Sequence, residues 1–119
     1  MGEAVDYQSF PLVSGETTEL EFTVTDNDNA VVDLTGGSGR FAAARTPLDA
    51  SLVLDSAASP ATATIQVVNP LAGTVNVILA DTVTDDLSGD YYWEFKWTDI
   101  LGREAIIARG IMSFADNLI

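Results

Sequence analysis

The chain contains no cysteine and no histidine. Without cysteine there is no disulfide framework, no thiolate nucleophile and no Cys-based zinc site. Without histidine there is no Ser-His-Asp triad and no imidazole general base. Bases are scarce as well: 5 Lys and Arg stand against 18 Asp and Glu, a formal net charge of −13. Such a surface repels phosphate backbones and anionic lipid, so neither nucleic acid nor membrane is expected as a partner. No apolar run approaches the roughly 20 residues that cross a bilayer. The acidic start, Met1 to Phe10, has no apolar stretch, so no secretory signal is expected. No cofactor or metal is expected either, and no catalytic constellation stands out. Enzymatic activity is not expected.

What remains is a core-forming, turn-rich chain. Of its 119 residues, 47% are apolar, enough to fill one domain without staples. Strand-like runs recur about every ten residues with turn signals between them, the pattern of an all-β sandwich. In Glu19 to Thr25, Leu20, Phe22 and Val24 alternate with acids and threonines. Val31, Val32 and Leu34 read as a short strand after the turn at Asp26 to Asn29. Phe41 and Ala43 share one face of a strand ending at Arg45. Leu52 with Leu54, Ile65 with Val67, and Val75, Val77 and Leu79 mark three more. Asp81 to Leu87 is a single helical turn capped by Asp81 or Thr82. Residues 1–15 read as an N-terminal arm or a first edge strand, and residues 16–119 as the sandwich domain.

Leu87 to Phe114 is the most informative stretch. Tyr91, Trp93, Phe95 and Trp97 fall on one strand face by period-two alternation, with Tyr92, Glu94, Lys96 and Thr98 on the other. Leu87, Gly89 and Tyr91 have the spacing of a tyrosine corner, in which the hydroxyl bonds to backbone just upstream where the chain crosses a sandwich. The aromatic row reads as core; a sugar- or peptide-stacking platform is the alternative. Trp97, near the strand end, is expected to be partly exposed. With Arg109 on an apolar strand and the terminal Leu118 and Ile119, it forms the set of candidate interface residues. Gly110, inside the last strand, marks a bulge or the close approach of another backbone.

Three clusters invite chemistry, and each has a plainer reading. Asp26, Asp28 and Asp33 have the oxygens a calcium ion wants, but Ala30 stands where a further ligand belongs, so a solvated turn is expected. Asp85 and Asp86, with Asp81 and Asp90, lack the opposed geometry of a glycosidase pair. Gly36 to Arg40 precedes a strand rather than a helix, so it reads as a flexible turn rather than a phosphate cradle. Arg40, Arg45, Arg103 and Arg109 are each expected to pair with a neighbouring carboxylate.

The order of several motifs resembles a family of small phage proteins. The motifs are Phe22-Thr23-Val24-Thr25-Asp26, Val32-Asp33-Leu34-Thr35-Gly36, Phe41 to Arg45, Gly73 to Leu79, Leu87 to Phe95, Asp99 to Arg103 and Gly110 to Phe114. Across about residues 18–114 the chain is similar to the immunoglobulin-like N-terminal domain of phage baseplate upper proteins and to small tail-associated proteins of tailed phages. The resemblance implies an immunoglobulin-like antiparallel β-sandwich of about seven to nine strands. It implies a non-enzymatic virion structural protein of the tail, baseplate or fibre attachment, made in the host cytoplasm. Its expected partners are other virion proteins, in a homo-oligomer or multi-copy assembly. A capsid decoration protein and a carbohydrate- or cell-surface-binding module are the alternatives.

Overall fold

Alternation along the chain builds two sheets, which the structure, a computed structural model, describes for residues 6–26, 28, 30–46, 52–58 and 61–115. Among these residues there are eight strands: β1 (Asp6–Val13), β2 (Thr18–Thr23), β3 (Ser38–Ala44), β4 (Leu54–Asp55), β5 (Thr64–Asn69), β6 (Thr74–Leu79), β7 (Gly89–Thr98) and β8 (Glu104–Ala115). A 3-10 turn covers Pro70–Ala72, and a short helix, α1, covers Asp81–Thr84. One sheet has the order β1-β8-β7-β3-β4 and the other β2-β6-β5. The second is the first-half B-E-D arrangement of an immunoglobulin sandwich, and β8-β7-β3-β4 is its G-F-C-C′ partner. The fold is therefore an immunoglobulin-like β-sandwich.

The first strand departs from the constant-type order. It leaves β2 and pairs parallel with β8, from Asp6 opposite Ala108 to Val13 opposite Ala115. Phe10 inserts between the sheets, 6.3 Å from Phe22 and 5.4 Å from Trp93 between ring centroids. The Ser14 hydroxyl donates to the Leu87 carbonyl. Residues 6–13 are thus an integral edge strand, not a detachable arm. Gly110 explains the fit: a Cβ there would overlap the Gln8 carbonyl oxygen. Gly110 is the point where two backbones approach. The register break lies elsewhere, between Phe95 opposite Ala108 and Lys96 opposite Ile106, which leaves Ile107 without a partner in the ladder.

The core replaces the usual inter-sheet disulfide with aromatic rings. In antibody domains the second bridging cysteine follows the corner tyrosine by two residues. Trp93 holds that place here and is 1% exposed. Its partner across the sandwich is Phe22, 5.4 Å away, which also stacks on Phe95 at 5.0 Å. Phe41 stacks on Trp93 from β3 at 5.8 Å. The corner itself is formed: the Ser88 N–H donates to the Tyr91 hydroxyl at 3.1 Å.

Some local expectations differ. Val31 to Leu34 is not a strand; Thr25 and Val31 make one isolated bridge, and the Leu34 N–H donates to the Pro70 carbonyl. Val67 lies exposed on β5, an edge strand, and Leu52 lies outside the two-residue β4. The cap position of α1 is Ala80, with no side-chain bond. Thr84 is buried and donates to the Glu16 carbonyl at 2.7 Å, tying the helix to the β1–β2 turn.

Candidate functional site

The residues singled out for chemistry are mostly committed to structure. Tyr91, Trp93, Phe95 and Trp97 all point into the core, so the row offers no stacking platform. Trp97 is the correction: it is 4% exposed, not an interface residue. Gly37 and Gly39 fold over its ring; a Cβ on Gly37 would lie 2.7 Å from it. The glycine run is thus a packed surface, not a loose turn. Leu118 and Ile119 lie outside the described residues.

The acidic clusters serve their own turns. One Asp26 carboxylate oxygen accepts from the N–H groups of Asp28 and Ala30. Asp33 accepts from the Thr35 hydroxyl and N–H, which hold its carboxyl below the usual range. Asp90 accepts from the Ser113 hydroxyl. Asp85 and Asp86 stand exposed beside each other. Among the described residues no three metal-ligating side chains are gathered.

The cations fall in one place. Arg40 and Asp55 form a two-pronged pair at 2.8 and 3.0 Å. Lys96 meets Glu104 at 3.2 Å, Arg103 meets Asp99 at 2.8 Å, and Arg109 meets Glu94 at 3.4 Å. Arg45 departs from the expected carboxylate pairing: it lies 4.2 Å over the Tyr91 ring and donates to the Ser88 carbonyl. It braces the tyrosine corner. All five bases therefore sit on β3, β7 and β8 or on the residues joined to them.

Among the described residues two surfaces offer themselves to partners. The first is the outer face of the five-stranded sheet. Outward residues there alternate with the buried aromatics, and Ala42 and Ala44 are too small to fill the space beside Tyr92. The result is a cleft of about 510 Å³ lined by Ala42, Ala44, Leu52, Tyr92, Glu94 and Ile111, among others. Tyr92 is 41% and Leu52 44% exposed. The sequence signal for this cleft is an outward Ala-x-Ala opposite an outward Tyr.

The second surface is the loop pole formed by the β2–β3, β5–β6 and β7–β8 connections. Strand directions bring these three to one end of the sandwich, where variable domains carry their binding loops. Val24 donates to the Gly73 carbonyl and Leu34 to the Pro70 carbonyl, so the β2–β3 segment lies against the β5–β6 turn. Two residues on, Gly36 lies against Ile100 of the β7–β8 turn, and its φ of +78° is a left-handed conformation that favours glycine. On this framework Leu71, Ile100 and Leu101 are 75%, 71% and 73% exposed. Asp99 fixes the β7–β8 turn by accepting from the Arg103 and Leu101 N–H groups, and these bonds hold its carboxyl low. Asp26, Asp28 and Asp33 lie in the neighbouring loop.

No family model matches the chain, and no curated protein matches it in sequence. Solved structures resemble it in shape. The chain is similar to the titin Ig tandem domains A164-A165 at 11% identity, TM-score 0.47, over 96% of this chain and 47% of that one. It is similar to murine CRIg at 13% identity, TM-score 0.47, over 92% of each chain. It is similar to Tim-1 at 12% identity, TM-score 0.46, over 96% of this chain and 97% of that one.

Proposed function

We propose that the chain is a non-enzymatic docking module of a phage particle, in the tail, baseplate or fibre attachment. It works by protein–protein contact through its loop pole. The observation that carries this reading is the exposure of Leu71, Ile100 and Leu101 on adjacent turns that hydrogen bonds and tight glycines hold in shape. Aliphatic tips on a rigid frame gain from burial without a large ordering cost. Burying three of them contributes roughly 5 kcal/mol before the cost of association. Asp26, Asp28 and Asp33 in the neighbouring loop add negative charge to this end, so the occupant is a neighbouring virion protein with an apolar socket and a basic rim. The virion address itself rests on the motif order from Phe22 to Phe114, and a decoration site on the capsid would use the same contact.

The test is incorporation. Ile100→Asp with Leu101→Asp should leave the circular dichroism and melting temperature near wild type, because both side chains are in water. It should deplete the protein from purified particles by tenfold or more. Wild-type incorporation of that variant would overturn the pole as the docking surface, and absence of the wild-type protein from particles would overturn the virion reading.

A further inference from the structure

We infer that the outer face of the five-stranded sheet is a self-association surface, on which a second copy of this chain docks about a two-fold axis. The inference stands on a different surface from the loop pole and does not depend on the virion reading.

Shape is the first argument. An isologous contact needs a patch that is complementary to itself, so knob and hole must lie on the same face. The cross-strand row Ala44, Tyr92 and Ile111 supplies both. Tyr92 rises from the sheet beside the short side chains of Ala42 and Ala44, which line the cleft. A two-fold axis parallel to the sheet, lying in the plane of contact, lays the ring of each copy in the other's alanine groove. Tyrosine suits that role, since it buries a large rigid area at little entropic cost and keeps its hydroxyl wet.

Charge is the second argument, and it selects the occupant. Two copies each carrying −13 repel wherever acids face acids. Residues 1–39 contain no base, so the exposed Glu19 and Glu21 of β2 have no cationic neighbour on their strand. The α1 end presents Glu16, Asp81, Asp85 and Asp86. The outer face of β3, β7 and β8 differs: Arg40, Lys96 and Arg109 there each pair with an acid of the same sheet. On this face the bases offset every described acid but Asp90, so two copies meet there with little net repulsion, and the pairs can be exchanged between them.

Size sets the strength. β7 has 10 residues, which at about 3.3 Å each, across five strands about 4.8 Å apart, gives a footprint of roughly 600 Å² per copy. That is below the roughly 800 Å² per partner of a standard stable interface, so the association is weak and reversible. Ionic strength acts in an unusual direction. The long-range repulsion between copies fades as the Debye length falls from about 30 Å at 0.01 M to about 8 Å at 0.15 M. Dimerisation should therefore tighten with added salt, whereas docking of the acidic pole on a basic partner should weaken.

The experiment is sedimentation velocity on the full chain, at protein concentrations from about 5 to 500 μM and at about 0.01 and 0.15 M salt. The expected result is a monomer–dimer equilibrium with a larger association constant at the higher salt. Tyr92→Glu should lower that constant at least tenfold, as should Ile111→Glu, while Leu101→Asp leaves it unchanged. Tyr92→Ser provides the same readout should the glutamate variants melt early. A monomer at every concentration would overturn the inference, as would a dimer that tolerates the Tyr92 and Ile111 substitutions.

Discussion

Replacing Trp93 by alanine removes the ring that joins the two sheets. Trp93 is 1% exposed and lies within 5.8 Å of Phe10, Phe22 and Phe41, centroid to centroid. Burying roughly 200 Å² of ring at about 25 cal/mol/Å² contributes about 5 kcal/mol, an upper figure because unfolded chains already bury some surface. Trp→Ala losses in cores run about 3–5 kcal/mol. One term runs the other way: the Trp93 Nε1 donor is buried with no hydrogen-bond partner among the described residues. Alanine relieves that cost, so we expect a loss near the lower end, about 3–4 kcal/mol. Trp93→Phe isolates the term. It keeps most of the ring area and removes the unpaired donor, so its loss should stay under about 1.5 kcal/mol. Urea unfolding followed by far-ultraviolet circular dichroism, with equal slopes for the three proteins, measures both. A loss below about 1 kcal/mol for the alanine variant would refute the picture of an aromatic bridge in place of a disulfide.

Gly110→Ala should loosen β1 from β8, because the new Cβ meets the Gln8 backbone. A loss of roughly 1–3 kcal/mol is expected, with amide exchange quickening first in β1. Asp33, Asp55 and Asp99 have carboxyls held below their ordinary range; for Asp55 the main cause is the bond from Arg40. Groups depressed in the folded state add stability above the unfolded carboxyl value of about 4, and that stability is lost as pH falls through their folded values. Thermal melts should therefore fall with acidification below about pH 4, and Asp55→Asn should make that fall shallower. An unchanged acid limb in the variant would remove the Arg40–Asp55 pair as a contributor.

The aromatic strand, the corner and the inward rows of β2 and β6 were legible because alternation and turn spacing are local. Pairing between the chain ends was not: β1 lies parallel to β8 through contacts about a hundred residues apart, and only Gly110 hinted at a second backbone. Trp97 misled because position along a strand says nothing about what folds over it, and here Gly37 and Gly39 do. Val31 to Leu34 misled because its apolar residues are satisfied by a turn, through the bond from Leu34 to Pro70, rather than by a ladder. The loop pole was missed for a related reason. Leu71, Ile100 and Leu101 stand in turns, where sequence patterns track glycine and aspartate, and the exposure of an aliphatic tip depends on three loops meeting.

The most direct test of the docking account is site-specific photo-crosslinking from position 101 in assembled particles, with position 21 on the opposite sheet as control. The account predicts one discrete crosslinked species from position 101, to a virion protein whose contact peptide is rich in lysine or arginine, and none from position 21. Equal crosslinking from both positions, or none from position 101 in particles that contain the protein, would contradict it.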